Sequence, residues 1–179
     1  MVYYRVSRNK VEVGSPIWEV EINPERLALL RHFIKLFSEN NWTELNNFYL
    51  NTNLGLDWYN LVKEAALEFV RIEKYLEQPS RFENMMVFAN LDDAINFRKQ
   101  FRRDAVIYKI EYPDDASSFS GDMQIIDQIG IGNHVYHKMA ESYRAGETTL
   151  DPIIETTLGL RKAVVIGIVE VKSKLEDGK

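Results

Sequence analysis

The sequence predicts an α+β fold in which strands at both ends of the chain enclose a group of helices. The clearest signal is the stretch 81–112, which has the pattern of a strand, a helix and a second strand. Strand-like runs also occur near the two ends, at 2–7 and at 161–172. The regular alternation of strands and helices that builds a doubly wound parallel sheet is missing, which favours α+β.

Composition limits the architecture and the class of function. A chain of 179 residues with 45% hydrophobic content can bury one sizeable core, so we expect a single domain over 1–179. A net charge of −5 disfavours a general nucleic-acid coat, because phosphate binding needs concentrated Lys and Arg. Disulfides and thiol catalysis are excluded, since cysteine is absent. The sequence contains neither a membrane-length apolar run nor a signal-peptide pattern, so we expect a cytoplasmic protein with no membrane partner.

The first 80 residues predict strands followed by two helices. The run 2–7 is a strand, and the residues 11–22 contain a second extended run. Asn23 is followed by proline and glutamate, which is typical of a helix start, and Asp57 has the position of the cap of a longer amphipathic helix. The segment 23–78 is therefore predicted to be a helical layer inserted between the N-terminal strands and the central unit.

The central unit has the most specific local signals. The apolar run 85–89 has strand length, Asn90 is suited to cap a helix, and Asp93 at the third helical position completes an acidic capping box. The alternating run 105–112 predicts the second strand. Four cations lie near the end of the helix, where they favour the helix dipole, and a solvated helix end explains them better than a nucleic-acid site does. They are Arg98, Lys99, Arg102 and Arg103.

The C-terminal part predicts a loop, one helix and three strands. The residues 113–121 have loop composition, and 123–126 form a short apolar run predicted to be a strand. A helix follows Gly132, and Gly146 is placed to end it. The remaining predictions are strands over 152–158 and 161–172 and a frayed tail over 173–179.

The common catalytic motifs are absent from the sequence. There is no nucleophile elbow, Walker loop or HExxH motif, and G-I-G at 130–132 lacks the third glycine of a nucleotide fingerprint. His134 and His137 are three residues apart on one predicted helix, and with Glu141 they would approach a metal ion. No further ligand is marked by spacing, so surface histidines are the favoured interpretation, no metal site is predicted, and a metal-dependent enzyme ranks third among the functional hypotheses.

The order of several short motifs resembles the ADP-ribosyltransferase-like fold. These motifs are Tyr4-Arg5 in the first strand, Arg81-Phe82-Glu83-Asn84 before Val87-Phe88-Ala89, the helix LDDAINF, the strand IYKIEY, and Ile154-Glu155 before the closing strand. More narrowly, the chain resembles an uncharacterised bacterial family of about this length that is assigned to the fold. The resemblance implies split mixed or antiparallel sheets with an inserted helical layer.

The resemblance also implies NAD as a substrate and assigns roles to five residues. Arg5 stands where such enzymes hold NAD, and a planar guanidinium suits ribose hydroxyls and diphosphate oxygens. Arg81 is implied as a second dinucleotide contact, and Tyr4 or Phe88 as the face on which nicotinamide stacks. Glu155 matches the glutamate that stabilises the positive charge on the ribose during cleavage of NAD.

Two functional hypotheses follow from this resemblance. The first is an NAD-dependent transferase that passes ADP-ribose to an unknown protein or nucleic-acid acceptor. The second is a catalytically inactive module that keeps the fold for binding or interaction. The motifs depart from the family pattern: the serine-x-serine element is absent at Met86–Phe88, and Ile153 stands two positions before Glu155. Convergence of Arg5, Phe88 and Glu155 on one cleft would favour the enzyme, because fold alone does not determine function.

Overall fold

The fold was obtained as a computed structural model. The structure describes residues 1–17, 24–41, 55–82, 84–114, 117–127, 133–159 and 163–170; within them, the side chains of 24, 26, 55–59, 133 and 134 are left undescribed. The strands are β1 (Val2–Ser7), β2 (Pro16–Ile17), β3 (Met85–Val87), β4 (Val106–Glu111), β5 (Ser118–Asp122), β6 (Ile154–Leu158) and β7 (Ala163–Val169). The helices are α1 (Pro24–Ser38), α2 (Gly55–Lys74), α3 (Leu91–Phe101), α4 (Met123–Asp127) and α5 (Asn133–Arg144).

The strands form two antiparallel sheets. The first sheet has the order β1-β4-β7-β2 and the second has the order β3-β6-β5. The sheets meet where Tyr4 and Phe88 exchange two backbone hydrogen bonds, each 2.8 Å long. The predicted α+β class is therefore confirmed, with the helices between β2 and β3 following the N-terminal strands as expected.

Helix α3 covers one face of the first sheet. Ala94, which is buried on α3, packs in a cluster with Phe88, Ile107 and Ile153, and β1 contributes Tyr4 and Val6 to the same cluster. The opposite face of the first sheet packs against one face of the second sheet. Their shared cluster includes Tyr3, Tyr108 and Ile110 from the first sheet and Met85, Val87 and Leu158 from the second.

Helices α1, α2 and α5 form a helical layer with its own core. Leu27, Leu30, Ile34 and Phe37 recur at spacings of three and four, which predicts that one side of α1 faces the core. Leu30 and Phe37 are buried, as this spacing predicts, and α2 buries Leu61, Val62 and Ala65. The apolar stripe that the sequence predicts for α2 extends from Trp58 to Leu76 and is too long. Ile72 is 48% exposed, and Leu76 lies beyond the helix end and is 70% exposed.

Local capping signals predicted two helix ends correctly. The Asn90 side chain accepts a hydrogen bond from the Asp92 backbone N–H, so Asn90 caps α3. Gly146 follows α5 with φ of 75°, in the left-handed region that a C-terminal glycine adopts. Its N–H donates to the Tyr143 carbonyl, and this bond closes the last turn.

Two predictions in this part of the chain were wrong. Residues 118–121, the second half of the predicted loop, form β5 together with Asp122, and the predicted strand at 123–126 is the short helix α4. Pairing with β6 along its whole length stabilises β5 despite its small polar residues. Asp122 then begins α4, because its Oδ1 accepts a hydrogen bond from the Gln124 backbone N–H.

Other predictions fall partly or wholly outside the described residues. These are the extended run at 18–22, the cap at Asn23, the side chain of Asp57, the turn at 130–132, the first residues of the strand at 161–172 and the tail at 173–179. Within the described part, the second extended run is limited to the two residues of β2. None of the described helices combines the length and the apolar character needed to cross a membrane.

Asp122 ties β5 to the segment that leads into β6. Its side chain is 0% exposed and accepts hydrogen bonds from the Thr149 N–H, the Thr149 hydroxyl and the Ile153 N–H, besides that of Gln124. Burial by itself raises the pKa of a carboxyl group, but these hydrogen bonds outweigh it and hold the pKa of Asp122 below its ordinary value of 3.8.

Acid is expected to remove the stabilisation that the Asp122 carboxylate provides. Because its folded-state pKa is depressed, this contribution is complete above 3.8 and is lost as the pH falls through the lower folded value. We expect Asp122→Asn to cost about 1–3 kcal/mol at neutral pH, and the difference from wild type to shrink towards about pH 2.5. Urea unfolding across this range measures it. The exposed Asp151→Asn is the control, and a difference that does not change with pH would contradict the assignment.

Candidate functional site

Two of the predicted site residues, Arg81 and Glu155, meet Tyr143 between the helical layer and the second sheet. Arg81 lies between α2 and β3, Tyr143 in the last turn of α5, and Glu155 in β6. Glu155 Oε1 forms an ion pair with Arg81 Nη1 and accepts a hydrogen bond from the Tyr143 hydroxyl at 2.5 Å. Arg81 Nη1 also donates to the Tyr143 oxygen at 2.8 Å. All three side chains are buried.

Glu64 on α2 completes this arrangement, which we call the Arg81 cluster (Glu64, Arg81, Tyr143 and Glu155). Arg81 Nε donates to Glu64 Oε2 and Arg81 Nη2 to Glu64 Oε1, both at 2.9 Å, so the carboxylate meets the guanidinium at two points. One cation thus lies between two carboxylates. The cluster links α2 and α5 of the helical layer to β6 of the second sheet.

Burial and charge act in opposite directions on the groups of the cluster. Desolvation alone lowers the pKa of Arg81, but attraction to Glu64 and hydrogen bonds to Glu64 and Tyr143 outweigh it, so the net shift is upward. The guanidinium therefore stays charged. Burial raises the pKa of Tyr143, which keeps the phenol protonated and able to donate to Glu155.

The local fold explains why Tyr143 reaches Glu155. A Cβ atom built on Gly121 of β5 would lie 2.6 Å from Tyr143 Cζ, so only glycine leaves room for the ring. Phe119 on the same strand contacts this ring edge-on, with the centroids 5.4 Å apart. Gly121 of β5, the strand that pairs with β6, therefore leaves the space in which the Tyr143 phenol reaches Glu155.

Arg144, the residue after Tyr143, joins a second buried group of charges. Its guanidinium donates to the carbonyl oxygens of Leu67 and Pro79 and lies 3.9 Å from Glu68. Its Nη2 finds no hydrogen-bond partner in the described part of the chain, although the side chain is fully buried. Burial lowers the pKa of Arg144 to about 10. These contacts fix the last turn of α5 against α2 and support the position of Tyr143.

The other predicted site residues lie in different surroundings. Phe88 is buried, and its ring contacts Phe97 of α3 at a centroid distance of 5.0 Å. Tyr4 is partly buried in the same cluster. The two are joined through the backbone where the sheets meet, on the side of the first sheet that α3 covers.

Arg5 faces the opposite side of the first sheet from Tyr4. Side chains alternate along a strand, so Arg5 shares a face with Tyr3 and with its cross-strand neighbour Tyr108. The Arg5 side chain is partly buried, which lowers its pKa, and its Nη1 has no hydrogen-bond partner among the residues that the structure describes. Arg5 is thus a cation with unused hydrogen-bonding capacity on the face that packs towards the second sheet.

Glu155 projects from the other face of the second sheet. Met85 pairs with Leu158 and Val87 with Thr156, and the cluster shared by the two sheets contains Met85, Val87 and Leu158. Alternation then directs Glu155 away from that cluster, towards Arg81 and Tyr143. The structure therefore joins Arg81 with Glu155, and Tyr4 with Phe88, and it places Arg5 on a third surface.

Glu64 was missed by the sequence analysis. Its neighbours in the amphipathic pattern placed it on the solvent side of α2, but it is only 24% exposed and faces Arg81. The one available signal was that a charged residue adjoins the fully buried Ala65. Glu64 faces inward because Arg81, 17 residues further along the chain, is buried beside it. The spacing of residues in the sequence does not reveal that these two side chains meet.

Of the two histidines considered as metal ligands, the structure describes the side chain of His137. His137 Nε2 lies 3.6 Å from Glu73 and its Nδ1 lies 3.8 Å from Glu141. The side chain of His134 is outside the described part. Among the described residues, no group of three or more His, Asp or Glu side chains is placed to hold a metal ion.

A family model described as "Protein of unknown function (DUF2441)" matches residues 13–171. The chain belongs to the DUF2441 family. The matched range contains all four residues of the Arg81 cluster, whereas Tyr4 and Arg5 precede it. The description of DUF2441 names no activity, and no curated protein matches the sequence. Function is therefore inferred from the arrangement of the side chains.

Proposed function

We propose that this chain is a cytoplasmic binding module that keeps an ADP-ribosyltransferase-like arrangement of strands without transferring ADP-ribose. The observation that carries the proposal is the state of Glu155, which is 2% exposed and whose Oε1 is held by both Arg81 and Tyr143. A carboxylate that stabilises a ribose cation must face the sugar. This carboxylate instead faces a guanidinium and a phenol.

The positions of the other predicted NAD contacts support the same proposal. A nicotinamide ring stacks on an aromatic face that is open, whereas Phe88 is buried against Phe97. Arg5 and Glu155 project from faces that do not look towards each other. A productive NAD complex would need both the Arg81 cluster and the contact between Phe88 and Phe97 to rearrange.

An NAD-dependent ADP-ribosyltransferase with an unidentified protein or nucleic-acid acceptor is the second candidate. Two buried polar atoms favour it, because Arg5 Nη1 and Thr157 Oγ1 have no hydrogen-bond partner among the described residues. Thr157 lies two residues after Glu155, so alternation places it on the same face of β6. For this candidate, Arg81 would have to release Glu155 and bind the diphosphate of NAD instead. A planar guanidinium can form paired hydrogen bonds with either a carboxylate or a phosphate.

Incubation with about 1 mM NAD distinguishes the two candidates, since enzyme KM values rarely exceed that concentration. For a binding module, we expect wild type and Glu155→Gln to release nicotinamide no faster than buffer, and NAD to leave Tm unchanged. For a transferase, wild type releases nicotinamide as water accepts the ADP-ribose in place of the unidentified acceptor, and Glu155→Gln does not, while NAD raises the Tm of both. Arg5→Ala would then weaken that rise in Tm.

The exposed Glu77→Gln is the matched control for loss of one carboxylate. Circular dichroism of each variant establishes that it is folded before activity is compared. Nicotinamide release that depends on Glu155 but not on Glu77 would overturn the binding-module proposal and establish the enzyme.

A further inference from the structure

A polar cavity of about 310 Å³ lies between α3 and the segment that leads into β6, away from the Arg81 cluster. One wall is a single face of α3, formed by Asn96, Lys99 and Gln100 at the spacing that brings helical side chains together. The other wall is Gln124 of α4 with Asp151 and Ile153. We call it the Lys99 cavity.

The second wall of the Lys99 cavity is held rigidly. Asp122 accepts hydrogen bonds from Thr149 and from the Ile153 N–H, on either side of Asp151. The Met123 N–H donates to the Ile153 carbonyl at 2.9 Å, which fixes α4 to the same segment. Ile153 is 3% exposed and gives the cavity an apolar lining. A wall fixed before binding loses little entropy when a ligand arrives.

The charges that line the Lys99 cavity are unpaired. Within the described part of the chain, the side chains of Lys99 and Asp151 have neither an ion pair nor a hydrogen bond, and the Asn96 side chain has no hydrogen bond. The two opposite charges line one cavity without pairing with each other. Exposed Arg8 and Asp104, by contrast, meet at 2.8 Å. A ligand that carries both charges would occupy the space between Lys99 and Asp151.

We propose that the Lys99 cavity binds a small zwitterion of amino-acid or short-peptide type. The ligand carboxylate pairs with Lys99 and its ammonium group with Asp151. Gln124 Nε2 donates to Gln100 Oε1 at 3.3 Å and so links the two walls. The remaining donors and acceptors of these two carboxamides, with those of Asn96, suit recognition of a peptide unit. The volume is at the lower end for small-molecule sites. An anion such as a phosphate is disfavoured, because Asp151 would repel it. The site is separate from Glu155, so this proposal stands whichever function the Arg81 cluster has.

Titration calorimetry with alanyl-alanine tests the proposal on the full chain. We expect binding below about 10 mM, and weaker binding of N-acetyl-alanyl-alanine and of alanyl-alanine amide by about three- to fivefold each, the size of one exposed ion pair. Free alanine, titrated in parallel, distinguishes an amino acid from a peptide as the preferred form. The proposal would be overturned if neither alanine nor alanyl-alanine binds at about 10 mM, or if the two capped peptides bind as tightly as alanyl-alanine itself.

Variants assign each charge to one end of the ligand. In Lys99→Met, alanyl-alanine and its amide should bind equally, since the partner of the carboxylate is gone. In Asp151→Asn, alanyl-alanine and its N-acetyl form should bind equally. Lys109→Met and Glu77→Gln make the same charge changes at exposed positions outside the cavity and should preserve both preferences. Preferences that persist in the Lys99 and Asp151 variants, or vanish in the controls, would contradict the proposed contacts.

Discussion

Replacing Arg81 with methionine is expected to lower the free energy of unfolding by about 3–5 kcal/mol, the usual cost of breaking a buried ion pair from one side. Glu155 would lose its cationic partner in surroundings that water does not reach. Glu64 would lose both of its contacts with the guanidinium. Urea unfolding at neutral pH measures the effect. We expect the urea concentration at the midpoint to fall and the slope of the unfolding free energy against urea concentration to stay unchanged.

Two comparisons isolate the charge effect in Arg81→Met. Arg8→Met removes an exposed pair with Asp104 and should cost less than about 1 kcal/mol. Adding Glu155→Gln to Arg81→Met should recover part of the lost stability, because the unpaired buried carboxylate is then gone. A loss in Arg81→Met no larger than that in Arg8→Met would show that the Arg81 cluster does not hold the helical layer to the second sheet.

Replacing Gly121 with alanine is expected to cost about 2–3 kcal/mol, or roughly 4–12 °C in Tm, because the added methyl group overpacks the core. The new Cβ would lie 2.6 Å from Tyr143 Cζ, so the ring has to move. A displaced ring also weakens the hydrogen bond from Tyr143 to Glu155. Thermal unfolding followed by circular dichroism measures the shift.

Gly167→Ala is the matched control, since its Cβ would meet only the Lys109 Cβ, at an ordinary 3.9 Å. We expect its Tm to change by much less than that of Gly121→Ala. On a Tyr143→Ala background, Gly121→Ala should add little further loss, because the clashing ring is absent. Equal losses with and without the ring would rule out the clash as the cause.

The parts of the fold that the sequence predicted well depend on local chemistry. Asn90 caps α3 through the backbone two residues away, and Gly146 ends α5 through its own φ angle. The strand β4 follows an alternation that one stretch of chain contains in full. Such signals need no knowledge of the rest of the molecule, because residues close in sequence determine them.

The parts that were missed depend on partners distant in sequence. The composition of Ser118–Asp122 favours a loop, and only pairing with β6 makes it a strand. At the candidate site, resemblance selected Arg81 and Glu155 separately. Their contact, and the part that Glu64 has in it, follow from how the helical layer as a whole packs on the second sheet. No spacing in the sequence encodes that packing.

The joint between Tyr4 and Phe88 attaches the two sheets without relying on side chains. Both hydrogen bonds run between main-chain atoms, so neither depends on the identity of the two side chains. Substitutions other than proline leave these donors and acceptors in place. The side chains at the joint can therefore change without loss of the main-chain bonds that attach the two sheets, whereas the contacts of the Arg81 cluster are made by the side chains themselves.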